Sequence, residues 1–225
     1  MNNLKIKAFS SIPLLLICMG AILFIAAGTL NYWQAWVFLA LWGVAGLVII
    51  VYFMNRDPKL LERRMSGGPT AEKRISQQII MSASSLGFVA LLVLPALDHR
   101  FGWSLVPAYA SIAADVLFVL GWVIIFFVFK ENSFTAATIQ VADDQKVVST
   151  GPYAIVRHPM YSGSWLYMLA IPIALGSWWG LVVFLLMTPF GLWRIFDEEK
   201  LLKESLPGYT EYTQRVRYRT IPHVW

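Results

Sequence analysis

Apolar residues in this chain come in long unbroken runs, and the polar residues collect between them. Four runs, at 9–30, 33–54, 75–97 and 105–129, are each long enough to cross a hydrocarbon core of roughly 30 Å as a helix rising 1.5 Å per residue. A fifth apolar region, 160–193, is interrupted at Gly176-Ser177 and punctuated by Pro172 and Pro189. Its halves are about sixteen residues each, or roughly 24 Å of helix, a little short for an upright span. The pattern predicts a tight helical hairpin there, with both ends on one side. The expected fold is an all-α integral membrane protein of four transmembrane helices plus a C-terminal helical hairpin. Residues 1–129 form its N-terminal region and 130–225 a loop, hairpin and tail, all within one integrated membrane domain.

Composition agrees with the runs. Hydrophobic residues make up 58% of the 225, charged residues 14%, and the mean hydropathy is +0.61, whereas a soluble domain carries about 25% charged residues. The first run follows Lys5 and Lys7 and ends in small residues, as a signal peptide would, but it is long for one and three more spans follow. Putting the N-terminus in the cytoplasm leaves Arg100 alone, of the 18 lysines and arginines, on the other side. Both termini and the 130–160 loop are therefore expected at the cytoplasmic face, with a bacterial inner membrane as the setting. This topology, with attraction to anionic lipid, accounts for the net charge of +5 without a nucleic-acid partner. Arg215-Val216-Arg217-Tyr218-Arg219 reads as a lipid-surface anchor and the terminal Trp225 as part of an interfacial belt.

Several classes find no support. Cys18 is the single cysteine, and His99, His158 and His223 lie far apart, so no metal site is expected. Nothing resembles GxGxxG or a phosphate-binding loop. Asp115, inside the fourth span, is an intramembrane carboxylate, read as a buried partner to a Ser or Tyr on a neighbouring helix or else as a functional group.

The candidate chemistry sits at the two mouths of the hairpin. On the entry side, Thr138–Val141 and Lys146–Ser149 read as short extended pieces about an Asp143-Asp144-Gln145 turn. Gly151-Pro152 breaks that stretch, and Pro159 sets the first turn of a helix. The free N–H groups of that turn suit an anion, although Arg157 and His158 taken alone would serve as interfacial anchors. On the exit side the second helix continues through Arg194-Ile195-Phe196-Asp197-Glu198-Glu199. Arg194 with Glu198, and Glu199 with Lys203, are spaced as surface ion pairs. Leu206-Pro207-Gly208 ends this helix, and a last short one follows around Glu211, Tyr212 and Arg215.

Gly-Pro-Tyr, then Arg-His-Pro-x-Tyr-x-Gly, an apolar hairpin, and Arg-x-x-x-Glu-Glu together resemble the isoprenylcysteine carboxyl methyltransferase family, a pattern shared by phospholipid N-methyltransferases. Leu-Pro-Gly-Tyr-x-x-Tyr and the closing Ile221-Pro222 are similar to bacterial members, and the likeness covers roughly residues 130–225. The resemblance implies S-adenosylmethionine held at the cytoplasmic face by Gln145, Lys146, Val147, Val148, Tyr153, His158, Pro159, Met160, Tyr161 and Glu198. Thr138 corresponds only loosely to a further contact. The resemblance also implies that Arg194 faces the methyl acceptor, a lipophilic or prenylated molecule reached from the surrounding membrane lipids. Chemically, Glu198 suits a ribose hydroxyl or ammonium, and His158 with the helix start suits a carboxylate. A carboxylate acceptor needs no base, with Arg194 holding one oxygen, while an amine acceptor needs one, from Glu199 or His158. Two other readings stay open at this point: an NADPH-dependent oxidoreductase like the sterol reductases, and a non-catalytic membrane protein.

Overall fold

The computed structural model describes residues 2–72, 74–139 and 145–225. The proposed turn at Asp143-Asp144 and the adjoining Gln140 and Val141 lie outside the described residues. Among those described there is no strand, and Lys146–Ser149 runs as irregular chain, so the expected extended pairing is not observed.

The described residues form eight α-helices: α1 (Asn2–Ala27), α2 (Trp33–Arg56), α3 (Pro58–Met65), α4 (Ile75–Phe101), α5 (Ala108–Glu131), α6 (Pro159–Ala174), α7 (Gly180–Ser205) and α8 (Tyr209–Arg215). Five of them, α1, α2, α4, α5 and α7, are long and apolar enough to cross a membrane. The protein is thus an integral membrane protein built on the expected spans. Their ends are set by local chemistry rather than by where hydrophobicity stops. α1 stops at Gly28, at φ 68°, and α4 at Gly102, at φ 65°, where each glycine N–H closes back on a carbonyl of the last turn. α3 has no long apolar run and was not expected. The Asp57 carboxylate accepts from Leu60 N at 3.1 Å, and Pro58 occupies the first turn, a start signal that is local and legible.

All the long connections meet at one end of the bundle. There Ala8, Ile49, Phe53, Leu60 and Phe129 form one buried cluster, tying α1, α2, α3 and α5 together. A second cluster, with Leu23, Phe38, Leu92, Phe118 and Ile171, fills the rest of the interior. The side chains pointing away from these clusters, Leu14, Val44, Leu86 and Leu185 among them, stay exposed as large apolar groups, the inversion expected of a lipid-facing surface.

The hairpin of α6 and α7 runs the full length of this bundle. Its tip reaches the far end, where Tyr32 Oη donates to Leu175 O (2.5 Å) and Ser177 Oγ to Asp98 Oδ2 (2.5 Å). Ser104 N, also at that end, donates to Asp98 Oδ1 at 2.7 Å. The sixteen residues of α6 suffice because the chain enters it from a loop already folded down onto the bundle. α7 is longer, 26 residues, and carries the charged cluster beyond the apolar layer.

α5 and α6 touch backbone to backbone at Gly121 and Gly163, where a Cβ on either would lie 2.7 Å from the other's carbonyl oxygen. Small residues at such crossings let helices approach in the absence of a hydrophobic drive. Gly163→Ala is expected to force the two helices apart and lower stability by about 1–3 kcal/mol, measured as a lower melting temperature in detergent. Gly46→Ala, whose Cβ meets only Ile12 at 3.7 Å, is the control that leaves melting unchanged. Asp115 is buried on α5, and its Oδ1 has no hydrogen-bond partner, so the expected Ser or Tyr partner is not there for that oxygen.

Candidate functional site

Two polar clusters separated by the hairpin in sequence meet at the end where the long connections gather. Pro159 opens α6 directly from His158, and the preceding backbone is pinned by the tail: Arg157 N donates to Tyr218 O (2.9 Å) and His158 N to Arg219 O (2.8 Å). Tyr212 of α8 donates to Tyr153 O at 2.7 Å. The C-terminal segment is therefore a strap across the start of α6. Arg219 lies over Phe196 and Trp225, and Trp225 stacks on Trp165. Of the tail expected to anchor on lipid headgroups, Arg219 and Trp225 pack on the protein, while Arg215 and Arg217 stay exposed.

A cavity of about 880 Å³, counting its open mouth, lies under this strap. Gln145, Lys146, Val147 and Val148 form one wall, and Tyr153 with the His158–Tyr161 turn forms another. Arg194 and Glu198 of α7 close it, with Leu201, Leu202 and Leu206 adding an apolar side. Thr138, set aside in the sequence, also lines it. Tyr161 Oη donates to Glu198 Oε2 at 2.7 Å, and Asn132 Nδ2 donates to Tyr153 Oη at 3.1 Å. Burial pushes the Tyr153 hydroxyl above its ordinary range, outweighing the opposite pull of the Asn132 donor. It therefore stays protonated and donor-capable.

Glu199 is not among the residues lining the cavity. It is 3% exposed and held from three sides. Arg157 Nε reaches its Oε1 at 2.8 Å, His158 Nε2 lies 3.3 Å from the same oxygen, and Arg219 Nε meets Oε2 at 3.1 Å. Arg157 spends its Nη1 on Val216 O (3.0 Å) and Arg217 O (2.6 Å). Arg157 and His158 are buried, at 8% and 5% exposure, rather than reaching out to the interface.

The spacing-based pairs along α7 do not form. Arg194 donates to Gln77 Oε1 (2.7 Å), Glu72 Oε1 (2.9 Å) and Ala137 O (3.1 Å), while Glu198 serves Tyr161 and Glu199 serves the tail. Asp197, between them, takes Arg74 Nη1 at 3.0 Å, Ser76 Oγ at 3.2 Å and Gln77 Nε2 at 2.5 Å. This network from the start of α4 was missed in the sequence. The one available signal was Glu72, an acid beside Lys73 and Arg74 just before the third apolar run.

A second, larger cavity, about 1420 Å³ with its open side, lies between α4, α6 and α7. Phe88, Val89, Met168, Phe184 and Met187 make it apolar. Met160, Tyr161 and Arg194 line both cavities, so one polar and one apolar chamber share a wall. Among the described residues no three His, Cys, Asp or Glu side chains come together as a metal site.

Residues 109–207 match the phospholipid methyltransferase family, which includes the isoprenylcysteine carboxyl methyltransferases. No curated protein matches the chain.

Proposed function

From the match of residues 109–207 to the phospholipid methyltransferase family, we propose that this chain is a membrane methyltransferase that transfers a methyl group from S-adenosylmethionine to a carboxylate borne by a lipophilic acceptor. The observation that carries this reading is the wall shared by a polar and an apolar cavity, formed by Met160, Tyr161 and Arg194. A transfer between a water-soluble donor and a membrane-dissolved acceptor needs such a junction.

The first cavity fits the donor in the chemistry of its lining, which combines a carboxylate, cations, hydroxyls and apolar side chains. When bound, S-adenosylmethionine supplies an electrophilic methyl on a sulfonium. Glu198, fixed by Tyr161, is the carboxylate that would hold its ammonium or ribose hydroxyls. His158 and the first turn of α6 would hold its carboxylate. Val147, Val148, Leu201 and Leu202 offer the apolar sides for its adenine. Residues Gln145 and Lys146, with Pro159 and Met160, complete that enclosure. The protein's contribution is alignment and exclusion of water.

An amine acceptor would have to lose a proton to a base. Glu199, the sequence's candidate for that task, has both oxygens engaged by Arg157, His158 and Arg219 and is better placed as a positioning residue. A carboxylate is already nucleophilic, which favours O-methylation. Arg194, at the junction, borders the acceptor. The basic residues at the site end support its facing the cytoplasm, with both termini.

Calorimetric titration of the purified protein is expected to show binding of S-adenosylmethionine and none of NADPH; the reverse result discards the proposal. With donor carrying a labelled methyl, inverted vesicles are expected to label lipid and intact right-side-out vesicles are not. Alkali should release the label as methanol, as an ester does. Alkali-stable label would point to N-methylation instead.

A further inference from the structure

Arg64 is a cation for which no counter-charge is found among the described residues. It comes from α3, outside the matched stretch of 109–207, and lines the second cavity at the end shared with Tyr161 and Arg194. Its hydrogen bonds both leave Nη1, one to Ala136 O at 2.7 Å and one to Met160 Sδ at 3.6 Å, and its guanidinium lies 5.1 Å from the centre of the Phe129 ring. All of these partners are neutral. Among the described residues the ion pairs belong to Arg74, Arg157, His158, Arg194 and Arg219. The polar groups facing Arg64 are Tyr153, Tyr161, Tyr167 and the second cation Arg194, and burial pulls its pKa below the ordinary value.

Arg194, on the same wall, differs. Glu72, 2.9 Å away, already neutralises it, so an incoming anion at Arg194 would meet a carboxylate. At Arg64 the described groups it would meet are the hydroxyls of Tyr153, Tyr161 and Tyr167 and the cation Arg194. A half-buried cation with no counter-charge among the described residues is favourably placed to take one from a ligand. The rest of the cavity is lined by Phe88, Phe184, Met168 and Met187, apolar walls in which flexible methionines adapt to a chain of variable shape. The complement of that chamber is a long apolar chain ending in a negative charge.

We propose that Arg64 binds the carboxylate of a single-chain lipid lying in the second cavity, and so selects acceptors by charge. The proposal rests on reading that cavity as the acceptor side of the methyl transfer. Arg194 then borders the headgroup, with Arg64 as its direct partner.

The test is equilibrium binding of radiolabelled palmitate and of hexadecanol, equal in chain length, to the full chain at fixed detergent concentration. The wild type is expected to bind palmitate about tenfold or more tightly than the alcohol, as a charge-assisted hydrogen bond gives. Arg64→Met is expected to abolish that difference by weakening palmitate alone. Unchanged hexadecanol binding shows that the variant is folded. Arg64→Lys is expected to regain part of the preference. Equal binding of both probes by the wild type overturns the proposal, and so does a preference that survives in Arg64→Met. Titration of S-adenosylmethionine on the same preparation separates the two readings. Donor binding without a carboxylate preference removes the role of Arg64 alone. A preference that vanishes with Arg64 in a protein that binds no donor supports the lipid site and removes the donor assignment.

Discussion

Arg157→Met is expected to destabilise the protein by about 1.5–3 kcal/mol, the usual consequence of losing a charged hydrogen-bond partner, because the buried Glu199 keeps only His158 and Arg219. Arg157 and Glu199 are 8% and 3% exposed, and the guanidinium approaches Glu199 at 2.8 Å while also capping the carbonyls of Val216 and Arg217. Removing it strands the Glu199 carboxylate between His158 and Arg219 and releases the strap. A lower melting temperature in detergent should therefore come with faster tryptic cleavage at Arg215, Arg217 and Arg219. The double variant Arg157→Met with Glu199→Met is expected to recover part of the loss, because no unpaired charge is then buried. Wild-type melting and an equally protected tail in the single variant would show that the clamp contributes nothing to folding.

Glu198→Gln is expected to weaken binding of S-adenosylmethionine by about ten- to a hundredfold, the range for losing a charged hydrogen-bond partner. The amide keeps the shape of the side chain and an oxygen that can accept from Tyr161 Oη, so the change falls on charge. Melting should stay at the wild-type temperature, which separates this variant from those of the clamp. Calorimetry reads the effect directly, and a variant with wild-type affinity would remove Glu198 from the donor site. The two predictions turn on adjacent carboxylates of one helix, Glu199, which Arg157 pairs, and Glu198. Their different outcomes follow from facing: Glu198 lines the cavity and Glu199 faces the strap.

The spans were legible in the sequence because burial in lipid demands an uninterrupted apolar run, and few other structures produce one. α3 and the true helix ends were less so. Polar residues such as Asn3, Lys5 and Lys7 are helical in α1 although no apolar pattern includes them. The residues that line the first cavity include those named from the family likeness, although hydropathy alone says nothing of their sharing one cavity. The pairing of charges was not legible. Spacing of four predicts Arg194 with Glu198, yet Arg194 takes Glu72 from another part of the chain. A helix neighbour wins only when both groups stay in water. Once a group is desolvated, the partner is whichever opposite charge the packing delivers.

By itself the sequence determined that the chain lives in a membrane, which segments cross it, and that polar clusters bracket the last hairpin. Those properties depend on composition and on contacts close along the chain. Only the tertiary structure decided that Glu199 faces away from the cavity, that the tail folds back over α6, and that Arg64 has no counter-charge among the described residues at the wall between two chambers. Each of these depends on groups roughly 20 to 120 residues apart, whose meeting is set by the packing of whole helices, where sequence spacing carries no information.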